Sequence, residues 1–267
     1  MRSKPKKSLG QNFLVDKNIQ EKIIRSCDLK EADTVLEIGP GRGELTQALL
    51  DRAKKVIAVE IDGELCAHLK EKFSSYANFV LINNDILKVG LSRLACGKGP
   101  GRLKVIANVP YYISTPIITH LLNHGKFIET IFITLQKELA ARLAASAGSK
   151  SYGAFSCLVQ FYAKPKILFS IKNSSFWPRP KVDSSFIELK ILSAPPVQVR
   201  DESLFFKIIR SGFNQRRKLL KNNLGRELPE AKIRDCFRTA GIKQGARAED
   251  LSLRDFARVS NFFARLP

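Results

Sequence analysis

The sequence predicts a doubly wound α/β domain followed by a small, basic helical domain. Three observations carry this. From about residue 20 to 192, apolar runs of strand length alternate with amphipathic stretches of helical period. At 35–43, one such run leads into a glycine-rich turn and then a helical stretch. Beyond Pro195-Pro196 no convincing strand remains, and apolar residues recur at helical spacing. A chain of 267 residues with 44% hydrophobic content can build one large domain and one small one, each with its own core.

The strands are expected at 34–38, 56–61, 79–82, 103–107, 131–135, 167–171 and 185–192, short runs rich in aliphatic residues. Helices are expected between them at 44–52, 63–73, 115–122, 137–145 and 154–162. The Gly97-Lys98-Gly99-Pro100-Gly101 stretch reads as a turn-rich loop. Around Trp177-Pro178-Arg179-Pro180 the connection is too short for a crossover helix, so the last two strands should form an antiparallel hairpin at one sheet edge. These elements place the first domain at 1–192, with a basic arm at 1–10. Ser193-Ala194-Pro195-Pro196 opens a linker at 193–199. In the domain at 200–267, Phe205, Ile208, Ile209 and Phe213 mark one helical face, and Leu219, Leu220 and Leu224 another. This tail holds 16 Lys/Arg against 8 Asp/Glu.

Lys+Arg 45 against Asp+Glu 25 leaves a net charge of +20 and a pI of about 9.9. Such a surplus points to a polyanion, either nucleic acid or an acidic membrane face. No apolar run approaches the ~18 residues of a spanning helix, and the basic N-terminus leads into no apolar signal segment. The 5 cysteines, Cys27, Cys66, Cys96, Cys157 and Cys236, are scattered and read as reduced, mostly buried thiols of a cytosolic protein. The 3 histidines form no ligand pattern with them, so no metal site is expected.

Chemistry concentrates at strand ends. Asn108-Val109-Pro110-Tyr111 follows the run 103–107 and combines an amide, an extended X-Pro pair and an aromatic ring. A planar base with an exocyclic amine suits this set: the Asn108 amide oxygen and the Val109 carbonyl can accept from the amine, and Tyr111 can stack. A plain strand end with a proline turn is the simpler alternative. Gly39, Gly41 and Gly43 make a G-x-G-x-G turn, unlike the G-x-G-x-x-G of dinucleotide sites, and could equally be a tight βα connection. Glu60 closes the second strand, where an acid can accept from both ribose hydroxyls; the alternative is a solvated carboxylate, with Asp62 as the cap of the next helix. Asp85 follows the third strand and can accept from an adenine amine, although Asn83-Asn84-Asp85 is also ordinary turn chemistry. Together the glycine turn, Glu60, Asp85 and Asn108 end four successive strands, which favours a nucleoside-type cofactor lying across the sheet.

With these motifs in place the chain resembles the S-adenosylmethionine-dependent ribosomal RNA adenine dimethyltransferases, and within them the bacterial small-subunit branch linked to kasugamycin resistance. The resemblance spans Gly10-Gln11-Asn12-Phe13-Leu14, the 37–43 loop, 108–116 (Asn108-Val109-Pro110-Tyr111-Tyr112-Ile113-Ser114-Thr115-Pro116), 176–184 (Phe176 to Ser184) and Phe213-Asn214-Gln215-Arg216-Arg217-Lys218. It implies a Rossmann-like seven-stranded methyltransferase sheet with a C-terminal helical RNA-binding domain. It implies S-adenosylmethionine as cofactor, held by Asn12, Leu14, Gly39, Gly41, Glu60, Asp85 and Asn108. Phe13 is read as core. Val109 stands where leucine or isoleucine is usual, and Arg42 receives no role.

The implied reaction is methyl transfer to the exocyclic amines of two adjacent adenosines in a 3′-terminal hairpin loop of 16S rRNA, in the cytoplasm, by a monomer acting on an assembling small subunit. Asn108, Val109, Pro110 and Tyr111 would carry catalysis, with Phe176 either on the second face of the target base or in the core. Arg2, Lys4, Lys6 and Lys7, with Arg216, Arg217, Lys218 and Lys221, would bind phosphates. Two rivals remain: a macrolide-resistance dimethyltransferase of large-subunit RNA, and a non-catalytic RNA-binding assembly factor. Lys181-Val182-Asp183-Ser184 and Gln215-Arg216-Arg217-Lys218 speak against the first. Intact Glu60, Asp85, Asn108 and Tyr111 speak against the second.

Overall fold

The computed structural model describes residues 4–95, 102–226 and 228–264. Arg2, Cys96 and the 97–101 loop lie outside the described residues. The strands are β1 (Phe13–Leu14), β2 (Thr34–Ile38), β3 (Lys55–Glu60), β4 (Phe79–Asn83), β5 (Leu103–Ala107), β6 (Ile128–Gln136), β7 (Ala163–Ile171), β8 (Phe176–Trp177) and β9 (Ser184–Ile191). Seven of them form one sheet in the order β4-β3-β2-β5-β6-β9-β7. The pairs from β4 through β6 are parallel, and β9 runs antiparallel to β6. The last two strands are neighbours with β7 at the edge.

Burial explains the sequence patterns. β5 is buried at every position and β2 at four of its five, so both read as apolar runs without alternation, interrupted only by Lys104 and Glu37. β4 and β7, at the two edges, show mixed patterns. Lys104 lies within β5 at 5% exposure because its ammonium pairs with Asp33 at 2.8 Å and donates to the Asp28 carbonyl at 2.6 Å; without those partners a buried ammonium would be costly. Strand order reverses between β2 and β5, and the crevice beyond their C-terminal ends is where such sheets bind ligands.

Two features were absent from the sequence reading. β1 pairs with β8 in a separate two-stranded ladder, Phe13 opposite Trp177 and Leu14 opposite Phe176. Two-residue strands carry no periodicity, and their pairing joins segments more than 160 residues apart. The helix Lys17–Ser26 is capped by Asp16, whose carboxylate accepts from the Asn18 and Ile19 N–H groups, and buries Ile23 and Ile24.

Among the described residues, those up to Ala140 with Lys164–Ile191 form one compact unit; Ala141–Ala163 with those from Leu192 onward form a second. This differs from the expected boundary at 192. The helix Ala154–Tyr162 has the pattern of a sheet-covering helix, yet Cys157 and Phe161, with Tyr152, pack in the second unit's core with Phe205, Phe237 and Phe256. That unit is otherwise built by the helices Glu202–Phe213, Leu220–Leu224, Glu230–Ala240 and Leu253–Phe263. Cys27, Cys66, Cys157 and Cys236 are free and buried. No described helix is long and apolar enough to cross a membrane.

Candidate active site

The C-terminal ends of β2, β3, β4 and β5 open into one cavity of about 940 Å³, counting its open mouth. Its first wall is the glycine turn. Gly39, Gly41 and Gly43 all have positive φ, +69°, +62° and +79°, a region glycine enters without penalty. A Cβ on Gly39 would stand 3.3 Å from the Asn108 carbonyl oxygen, so glycine there allows the ends of β2 and β5 to converge. One on Gly43 would stand 2.6 Å from the Phe73 ring.

Glu60, at the end of β3, is 6% exposed. Its Oε2 accepts from the Gly41 N–H at 3.2 Å and its Oε1 from the Asp62 N–H at 3.0 Å. Burial pushes this carboxyl above its ordinary range, and those backbone donors oppose the rise. Each oxygen retains a lone pair for a further donor such as a ribose hydroxyl. Deeper in β2, Glu37 is 3% exposed and accepts from the Thr46 hydroxyl at 2.7 Å. Burial raises its carboxyl to about 8. Asp85 is half-buried and caps the turn Ile86–Lys88 by accepting from the Leu87 N–H at 3.0 Å.

The N-terminal segment forms another wall. Leu9, Gln11, Asn12 and Phe13 line the cavity. Gln11 donates to Asp62 Oδ2 at 2.9 Å, and the Lys6 ammonium bonds Asp62 Oδ1 at 2.7 Å and Glu64 at 3.1 Å. Asp62 meanwhile caps the helix Gly63–Lys72, as the sequence alternative for this stretch had it. Burial pushes the Asp62 carboxyl up, but the bonds from Lys6, Gln11 and the Glu64 N–H outweigh it and hold it below the usual range.

Asn108, Val109, Pro110 and Tyr111 follow β5 into the same cavity. The Tyr111 hydroxyl bonds Ser184 Oγ at 2.6 Å, so the start of β9 fixes the ring. Phe176 lines the cavity and also belongs to the core. The cavity thus gathers Asn12, Gly39, Gly41, Glu60 and Asp85 with the tetrapeptide and Phe176. Leu14 does not line it. Its side chain is 2% exposed in the core and faces a narrow adjoining recess shared with Gly39 and Asn108. Sequence reasoning missed Ile61 and Tyr112, which line the cavity at 54% and 66% exposure. An apolar residue directly after the strand-end acid was the available signal for Ile61. Phe13, read as core, is both buried and cavity-lining.

The predicted phosphate contacts divide. Lys4, Lys7, Arg217 and Lys218 are exposed, and Lys221 is half-buried. Lys6 is committed to Asp62 and Glu64. Arg216 is committed too: its guanidinium donates to the Lys150 and Tyr152 carbonyls at 2.8 and 3.1 Å and pairs with Glu249 at 3.2 Å. No cluster of His, Cys, Asp or Glu able to hold a metal occurs among the described residues.

A family model described as ribosomal RNA adenine dimethylase matches residues 2–265. The chain belongs to the ribosomal RNA adenine dimethylase family. It is an S-adenosylmethionine-dependent rRNA adenine dimethyltransferase. Its relatives include a Moorella thermoacetica protein named ribosomal RNA small subunit methyltransferase A, 46% identical over 96% of this chain and 91% of that one. A Clostridium botulinum protein of the same name is 43% identical over 96% and 92%. Among solved structures, a dimethyladenosine transferase from Plasmodium falciparum superposes with TM-score 0.79 at 26% identity, covering 92% of this chain and 95% of that one. The 23S rRNA methyltransferase ErmE gives TM-score 0.70 at 26% identity, covering 95% and 100%. The dimethylase cavity fits its cofactor: Gly39 and Gly41 of the positive-φ turn line it, and Glu60 and Asp85 present acceptors at adjacent strand ends.

Proposed function

We propose that this dimethylase acts on the small-subunit rRNA, converting two adjacent adenosines of a 3′-terminal hairpin loop in 16S rRNA to dimethyladenosines. One observation carries the reading: Asn108-Val109-Pro110-Tyr111 meets Gly39, Glu60 and Asp85 around a single cavity. The names and 43–46% identity of the relatives favour the small subunit over the large one. The substrate particle is an assembling subunit, and the enzyme works in the cytoplasm as a monomer.

When bound, S-adenosylmethionine supplies an electrophilic methyl on a sulfonium. Asn12, the glycine turn, Glu60 and Asp85 hold it, while Leu14 stands outside the cavity with its carbonyl accepting from Gln20. The exocyclic nitrogen of adenine is a weak nucleophile because its lone pair is delocalised into the ring. Asn108 Oδ1 and the Val109 carbonyl each accept one amino hydrogen, which draws the nitrogen toward tetrahedral geometry and aims its lone pair. Catalysis is therefore positioning and electrostatics. The amine proton leaves to solvent after transfer, and no strong base is needed. Tyr111, anchored by Ser184, stacks on one face of the base and Phe176 on the other. After the first methylation only one amino hydrogen remains, so the base must rotate or rebind. The target must be flipped from its stack to enter. Lys4, Lys7, Arg217, Lys218 and Lys221 bind phosphates, and the second unit serves RNA binding.

Mass-spectrometric mapping of methylated adenosines, after incubating both rRNAs with the enzyme and S-adenosylmethionine, tests this. Dimethyladenosine in 16S rRNA is expected; its confinement to large-subunit RNA would overturn the assignment.

A further inference from the structure

Trp177 is the chain's single tryptophan. It follows the cavity-lining Phe176 and is 49% exposed. Two interactions set its position. The β1–β8 ladder places it opposite Phe13, a cavity-lining ring. The Arg42 guanidinium lies 4.3 Å from the Phe13 ring centroid and 5.3 Å from that of Trp177. Arg42 comes from the glycine turn itself, so the indole is tied to the cofactor loop by a cation–π contact. Half of this large, apolar side chain nevertheless stays in water, in an exposed stretch that also carries Arg179 and Lys181. Tyr111 is likewise followed at once by an exposed ring, Tyr112, which, unlike Trp177, also lines the cavity.

We propose that Trp177, held by Arg42 and Phe13, is the stacking platform for the unpaired base next to the flipped adenosine. This rests on the reading of the substrate as RNA. Flipping the target deprives its neighbour of a stacking partner, and an exposed, pre-oriented indole beside the pocket replaces it. Stacking on an aromatic face tolerates any base, while positive charge in the same stretch suits the flanking phosphates. Trp177 is a positioning residue for the substrate strand and does not touch the reacting atoms.

The single tryptophan makes the test direct. The unmodified full-length enzyme is titrated with an adenosine-looped RNA hairpin, with the same duplex lacking the loop, and with S-adenosylhomocysteine alone. Fluorescence should be quenched saturably by the looped hairpin and by neither of the others. Trp177→Leu should weaken hairpin affinity and raise KM for RNA roughly five- to hundred-fold. Its S-adenosylhomocysteine affinity should be unchanged, and Trp177→Phe should restore most of the loss. Unmoved emission on a hairpin that binds and is methylated would overturn the proposal alone, as would an unchanged RNA KM in Trp177→Leu. Equal quenching by S-adenosylhomocysteine would assign the ring to the cofactor instead. Failure of the unmodified enzyme to methylate any RNA would remove the functional reading together with this one.

Discussion

Glu37 offers a prediction with a sign and a size. It sits in β2 just before the glycine turn, 3% exposed, with one bond from the Thr46 hydroxyl. Burial lifts its carboxyl from 4.5 to about 8, helped by the nearby Glu44 and Glu60 carboxylates. Below about pH 4.5 the group is protonated in both folded and unfolded chains and costs nothing. Between 4.5 and 8 the unfolded chain releases the proton while the folded one keeps it, so stability falls as pH rises. Above 8 both forms are ionised and the loss is complete. At ~1.4 kcal/mol per pH unit, the full loss is about 5 kcal/mol and the loss by neutral pH about 3 kcal/mol. Glu37→Gln keeps the acceptor for Thr46 and cannot ionise. Its stability advantage over the parent should therefore grow from pH 5 to pH 8 by several kcal/mol. Urea unfolding at half-unit pH intervals, with both proteins in parallel, measures this. Curves that stay parallel across that range would refute the assignment of a buried, protonated carboxyl.

Further outcomes follow from the same geometry. Ser184→Ala removes the anchor of Tyr111 and should cost about 1 kcal/mol in stability. It should also lower kcat/KM several-fold with cofactor affinity unchanged, and a double-mutant cycle with Tyr111→Phe should return a coupling near that value. Gly43→Ala combines φ +79° with a Cβ 2.6 Å from Phe73, so it should cost roughly 2–4 kcal/mol in denaturant unfolding. Gly90→Ala, with nothing within 4 Å, should be nearly silent. In the second unit, Arg216→Ala should lower the melting temperature because two carbonyls lose their donor. Arg217→Glu with Lys218→Glu should leave melting unchanged while reducing RNA affinity and its salt slope.

What the amino-acid sequence alone determined is what local patterning encodes. All seven strands of the main sheet were legible as short apolar runs, most plainly β2, β3 and β5, because strands buried on both faces of a parallel sheet need no alternation. The glycine turn, Glu60, Asp85 and Asn108 were legible because each sits where its own strand stops. Tertiary structure decided the rest, since those outcomes depend on residues far apart in the chain. Lys6 and Arg216 look like any other basic residue in sequence, but Asp62, Glu249 and two backbone carbonyls claim them. The helix Ala154–Tyr162 has a pattern that suits either core, and only packing against Phe205 assigns it to the second unit. The ladder joining Phe13 and Leu14 to Phe176 and Trp177 has no local signature, yet it helps wall the cavity and sets Trp177 beside it.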